Sequence, residues 1–222
     1  MTGERTEQLS APWAIALAAA AGAGLWARLA GFGSRGLAVD EVYFAYATAA
    51  IRERGLPRLL DGGYYVVGLI PQYLTALATA LLGDGEAALR LPALAGGLVL
   101  PALGYRYVRG HAAPAVAAAV AIALCVSSWQ IEFARFARMY SLFGCAVLLM
   151  LTRFDRSLAG QEWGKRYWTH VWTVVAALCH REGALLAPLL FAPLLEPGRF
   201  ATRAARWRYA AATSATVGAI IL

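Results

Sequence analysis

Apolar residues in this sequence come in long blocks, and that blocking constrains the fold more than any other feature. Ala11 to Phe32 holds one charge, Arg28, and Ala112 to Trp129 holds none. Ala87 to Val108 and Phe136 to Thr152 are nearly as apolar. A spanning α-helix needs about 20 mostly apolar residues. In lipid every backbone polar group must be satisfied within the chain, which selects helices for such blocks. Composition agrees: 60% of residues are hydrophobic and 15% charged, against roughly 45–50% and about 25% in soluble domains. The expected fold class is therefore all-α, a polytopic membrane protein.

The chain divides at these blocks. Residues 10–32 read as a first span. Glu4, Arg5 and Glu7 precede it without the basic stretch of a secretory leader, so it reads as uncleaved. Residues 33–86 form a mixed outer loop. Within it, Asp40 to Arg54 has no Gly or Pro and reads as a short helix, stopped by Gly55 and Pro57. Leu69 to Leu82 reads as a second helix, stopped by Gly83-Asp84-Gly85. At 1.5 Å per residue it reaches only about 21 Å, so it is placed along the interface. Residues 87–222 hold further apolar blocks. Two short ones, Trp168 to Cys179 and Gly183 to Leu195, are split by His180-Arg181-Glu182 and predict a shallow hairpin with a sunken tip. The last run, Tyr209 to Leu222, falls short of a span, which predicts an N-terminal part of a longer polypeptide.

A net charge of +7 raises the question of nucleic acid. The basic residues instead gather in short loops, without an aromatic-plus-basic platform. Ten of them, Arg106, Arg109, Arg153, Arg156, Lys165, Arg166, Arg199, Arg203, Arg206 and Arg208, lie in alternate loops, which assigns those loops to the cytoplasm. Cys125, Cys145 and Cys179 are isolated in apolar runs and read as small core residues.

The outward loops then collect the chemistry. Asp40 and Glu41 are adjacent acids just beyond the first span. Intramembrane and interfacial acids need a partner or a use. Asp40 reads both as a helix N-cap, with Glu41 favouring the helix dipole, and as a catalytic base. Glu132, Arg135 and Arg138 recur at a spacing of three, close to one helical face. They read as a Glu132–Arg135 ion pair with Arg138 reaching the interface, or as a phosphate grip. Arg90 opens the second long block, as a flanking residue or a phosphate ligand. His180 with Glu182, and Tyr65 with Tyr140, are pocket candidates; the tyrosines equally suit an interfacial aromatic belt. Arg28 is expected to snorkel to the interface.

Several stretches in order carry a resemblance: Asp40-Glu41-Val42-Tyr43 after the first span, Gly55-Leu56-Pro57, Tyr65 to Tyr73, Leu82-Gly83 with Arg90-Leu91-Pro92, and Arg135-Phe136-Ala137-Arg138-Met139-Tyr140. Together they resemble the GT-C superfamily of polyprenyl-phosphate-sugar-dependent glycosyltransferases, on the branch of bacterial relatives of protein O-mannosyltransferases and the lipid A aminoarabinose transferase. The resemblance implies Asp40 as general base, with Glu41 beside it at the catalytic position. It implies Arg90, with Arg138 and Arg135, at the donor phosphate, and transfer with inversion to a hydroxyl of a lipid, glycan or protein. Polyprenyl phosphate is a good leaving group, so no metal need be assumed at the site; a divalent cation is the alternative cofactor. The expected location is the bacterial inner membrane, multi-pass. One departure is plain: relatives carry a basic residue and two prolines where this chain has Gly68-Leu69-Ile70-Pro71-Gln72. A transporter or flippase of a lipid-linked or anionic substrate is the alternative function. It would call for mid-bilayer polar residues and internal repeats, and the blocks are mostly Ala, Leu and Val.

Overall fold

A computed structural model of the chain describes residues 8–159, 167–196, 198 and 200–221. The basic residues Lys165, Arg166 and Arg199, and the N-terminal Glu4, Arg5 and Glu7, lie outside the described residues. The described residues are mostly helical: α1 (Ala11–Leu29), α2 (Val39–Arg54), α3 (Leu69–Leu82), α4 (Glu86–Arg109), α5 (Pro114–Val126), α6 (Ser128–Ala134), α7 (Tyr140–Leu158), α8 (Tyr167–Cys179), a 3₁₀ helix (Arg181–Leu195) and α9 (Arg203–Ile221). Among the described residues the only β pairing is one bridge between Arg58 and Tyr64 in the outer loop.

The element ends follow local chemistry. Gly55 closes α2 with φ 77° and donates its amide to Ile51 O, a conformation that costs a glycine little. Helix α3 has the predicted bounds and packs between α2, α4 and α8. Helix α4 is central, touching α3, α5, α6 and α7. Its Gly97 makes the contact with α6 possible: a Cβ there would stand 2.3 Å from Ala134 Cβ. Small residues let helices approach in this way. The three cysteines are buried free thiols.

Among the described residues two helices, α1 and α4, are long and apolar enough to cross a membrane, or three spans are present if α5 and α6 count as one bent pair. That bend corrects the reading of Ala112 to Trp129 as one block. The helix stops at Val126, and α6 leaves at 58°, with the Ser127 hydroxyl accepting the Gln130 amide at its start. A serine at that place competes for backbone donors and begins a new helix.

Arg28 is corrected too. It does not snorkel but is 2% exposed. Its guanidinium donates to Leu124 O, at 3.0 Å, and Cys125 O, at 2.7 Å. These are carbonyls left open where α5 ends, and a bent span creates a demand that a straight one would not. The predicted hairpin is α8 packed on the 3₁₀ helix. The second limb winds as 3₁₀ rather than α, over a stretch that contains Pro188 and Pro193; proline disrupts the α ladder. The tip is tight, since a Cβ on Gly183 would lie 2.3 Å from the Ala176 carbonyl carbon. At the far end of α4, His111 Nε2 sits 2.9 Å from Asp155 Oδ2 and ties the α4–α5 turn to the end of α7.

Candidate active site

Helix α2 begins one residue before Asp40. Ala38 precedes the helix, and the Asp40 side chain makes no capping bond. Glu41 does that work instead: its Oε2 accepts the Ala38 amide at 3.0 Å, the back-reaching half of a capping box. The difference follows from position, since Glu41 is the third helical residue and its longer side chain reaches back.

Glu41 is also the centre of a buried knot. Arg90 donates to both its oxygens, Nε to Oε1 and Nη2 to Oε2, each at 2.8 Å. The Ala137 amide donates to Oε1 at 2.7 Å. Arg90 further donates to Arg35 O at 2.8 Å and Gly36 O at 3.2 Å. One carboxylate and one guanidinium thus join α2, α4, the loop before α2 and the link before α7. Both side chains are almost wholly buried, where a bidentate pair with its remaining positions filled is required. Burial pushes the Glu41 carboxyl up, but Arg90 and the Ala137 and Ala38 amides outweigh it and hold it below the ordinary glutamate value.

Arg135 is equally committed. It donates to Ala27 O at 3.1 Å, Ala30 O at 2.8 Å and Gly31 O at 3.5 Å, so it closes the open end of α1. Glu132 pairs with Arg35, at 3.4 Å on the surface, not with Arg135 as the spacing suggested. The helix ends at Ala134, so Glu132 and Arg135 are not successive turns of one helix.

Asp40 and Arg138 are placed differently. The Asp40 side chain is 62% exposed, and its Oδ2 lies 3.9 Å from Arg138 Nη2. Arg138 Nη1 donates to Tyr65 Oη at 2.7 Å and to Asp40 O at 3.2 Å. Its Nε is buried with no partner among the described residues. The Tyr65 oxygen accepts from Arg138, so its own proton is left for a third group. Burial holds that hydroxyl above its ordinary pKa, against the pull of Arg138, with Asp40 and Tyr140 adding to the rise; Tyr65 remains a neutral donor. Tyr140 leads to His180, with ring centroids 5.9 Å apart. His180 Nδ1 accepts the Glu182 amide at 3.2 Å and lies 4.0 Å from the Glu182 carboxylate. Among the described residues no group of three His, Cys, Asp or Glu side chains could hold a metal ion.

Sequence reasoning missed two positioning residues. Gln72 is fully buried, and its Nε2 donates to Tyr65 O at 2.9 Å and Val67 O at 2.7 Å. It pins the segment that presents Tyr65. The signal was available, because a buried amide in the first turn of an apolar helix needs partners. Arg35 had no such signal; its carbonyl and side chain are recruited from distant segments.

The family described as dolichyl-phosphate-mannose-protein mannosyltransferase matches residues 67–221. The match contains Arg90, Arg135, Arg138, Tyr140, His180 and Glu182; Asp40, Glu41 and Tyr65 precede it. No curated protein and no solved structure matches the chain. Matched over most of its length, and mostly helical in its described residues with apolar helices of membrane-crossing length, the chain belongs to the dolichyl-phosphate-mannose-protein mannosyltransferase family, among the GT-C membrane glycosyltransferases.

Proposed function

We propose that this membrane glycosyltransferase moves a sugar from a polyprenyl-phosphate donor to an acceptor hydroxyl at the outer face of a bacterial inner membrane, with inversion and with Asp40 as general base. Asp40 takes the acceptor O–H proton. The acceptor oxygen forms a bond to the anomeric carbon as the bond from that carbon to the phosphate oxygen breaks, and polyprenyl phosphate leaves with the electron pair. Arg138 and the Tyr65 hydroxyl receive the charge that grows on the phosphate, an effect strongest where donors are preorganised. Asp40 faces solvent and can pass its proton on.

One observation carries this reading. Among the acids and arginines drawn together here, Glu41, Arg90 and Arg135 have their bonds filled within the protein, whereas Asp40 and Arg138 keep capacity for a ligand. We therefore assign Glu41 and Arg90 to positioning: they fix the start of α2, and so the place of Asp40. The placing of the site at the outer face rests on the ten basic residues in alternate loops.

The test uses the whole chain in nanodiscs with a panel of polyprenyl-phosphate sugars, following release of polyprenyl phosphate. Asp40→Asn should lower transfer by roughly 10²–10⁴-fold with an unchanged unfolding temperature. Equal transfer by the variant would remove Asp40 from the chemistry.

A further inference from the structure

A second cleft reaches the Glu41–Arg90 knot without Asp40, Arg138 or Tyr65 among its lining residues. Its inner part, of about 180 Å³, runs from Ala38 and Glu41 to Arg35, Glu132 and Phe136. Its outer part, of about 400 Å³, lies between Trp129, Phe133, Glu132 and Phe136. Glu132 and Phe136 line both parts, so the two adjoin as a groove along α6, and the inner one reaches Glu41, the sequence neighbour of Asp40. Trp129 is 71% exposed. Its ring centroid lies 5.8 Å from that of Phe133, which lies 4.7 Å from Tyr140. A row of rings therefore leads from the mouth of the groove to Tyr140.

The chemistry of the walls narrows the occupant. An acyl or prenyl chain would lie against Glu132 and Arg35, whose charged groups are more than half exposed, and desolvating them carries a cost. An extended peptide would seek a run of open backbone partners, and the nearby carbonyls of Gly31, Arg35 and Gly36 each already accept one bond from Arg135 or Arg90. What the groove has to offer is aromatic faces beside an exposed carboxylate and an exposed guanidinium. A pyranose ring is complementary to that set. Its C–H face packs on a π surface, and its hydroxyls both donate to a carboxylate and accept from a guanidinium.

We infer that this groove is an acceptor subsite for a carbohydrate. The terminal pyranose of a glycan or glycolipid headgroup stacks on Trp129 and Phe133, and Glu132 and Arg35 hold its hydroxyls. Its role as the acceptor side rests on the transfer reaction proposed above; its affinity for a sugar ring does not.

The experiment titrates the whole chain, in phospholipid nanodiscs free of glycolipid and of sugar-headed detergent. The probes are methyl hexopyranosides, a linear hexose trisaccharide, a short polyprenol and a serine- and threonine-containing peptide. Tryptophan fluorescence and saturation-transfer NMR report binding. A second arm places a simple hexosyl lipid in the disc, to separate a membrane-borne glycan from a free one. A pyranoside or the hexosyl lipid should bind. Trp129→Ala should weaken that binding by about tenfold, and Trp129→Tyr should keep it within about threefold. Glu132→Gln should weaken it by about tenfold or more. Thermal unfolding of each variant separates lost binding from lost folding. Sugar binding that survives Trp129→Ala, no sugar binding at all, or Trp129-dependent binding of the polyprenol or the peptide alone would each overturn the inference. Loss of transfer in every assay, with Trp129-dependent sugar binding intact, would instead sink the transferase mechanism and leave the groove standing.

Discussion

Asp40 and Glu41 are neighbours on one turn of α2, and each faces an arginine from a distant helix or link. Glu41 meets Arg90 at 2.8 Å with both side chains sealed from solvent. Asp40 meets Arg138 at 3.9 Å with its carboxylate mostly in the open. The first pair has its hydrogen-bonding positions filled by two backbone segments, the loop before α2 and the link before α7. The second has a buried donor without a partner among the described residues and a tyrosine hydroxyl with a proton to give. At a membrane surface, a charge that is fully bonded holds elements together, and a charge with bonds to spare is available for a substrate.

The largest expected effect falls on the sealed pair. Glu41→Ala leaves Arg90 buried and uncompensated, which should cost about 3–5 kcal/mol of stability. Replacing both, as Glu41→Leu with Arg90→Met, should recover most of that loss. Asp40→Asn should stay within about 0.5 kcal/mol of the parent. Denaturation followed by circular dichroism separates the three; equal losses at residues 40 and 41 would erase the contrast between the pairs. Acid sharpens the same point. The Glu41 carboxyl titrates below its ordinary value of 4.5 in the folded state. Its contribution is therefore complete above that value and is lost as the pH falls through the folded-state pKa. Glu41→Gln should flatten the stability profile in that acid range.

Much of the helical outline was legible in the sequence, because it is written locally. Gly55 and Gly83 stop α2 and α3 where the sequence says they should, and Leu69–Leu82 has its predicted bounds. The fates of the charged residues were not legible, because they depend on carbonyls that only the tertiary structure leaves open. Arg28 turned inward because α5 stops at Val126. Arg135 turned to α1 because that helix ends beside it. Glu41 chose Arg90 and the Ala137 amide, 49 and 96 residues away, and no periodicity encodes such a choice. The open pair was legible as residues but not as a pair, since Asp40 and Arg138 meet only once α2 and the link before α7 are brought together.

Next in size, Arg138→Ala should lower transfer efficiency by about ten- to a hundredfold, the range for losing hydrogen bonds to a charged group. Arg138→Lys should restore little, since one ammonium cannot serve Tyr65, Asp40 and a phosphate in the planar arrangement of a guanidinium. Arg28→Ala, by contrast, should cost about 1–3 kcal/mol of stability by orphaning the Leu124 and Cys125 carbonyls, with transfer per folded molecule unchanged. A steady-state assay normalised to folded protein distinguishes the two arginines. Matching losses of transfer at both would imply that Arg138, too, acts only through the fold.

The smallest effect should come from Tyr65→Phe, and it bears most directly on how the open pair works. The substitution removes an acceptor for Arg138 Nη1 and, with it, the proton that Tyr65 has free. A neutral hydrogen bond of this kind contributes about 0.5–1.5 kcal/mol, so transfer should fall by roughly two- to tenfold. Gln72 holds the Tyr65 segment from the other side, so the backbone should stay in place and stability should hardly change. If Tyr65 only orients Arg138, KM for the donor should rise with kcat preserved. If its hydroxyl also bonds to the departing phosphate, kcat should fall with KM little moved, because that bond strengthens as charge develops. A fall in kcat that tracks donors with poorer leaving groups would place the tyrosine proton on the phosphate, while a variant indistinguishable from the parent would leave Arg138 to act alone.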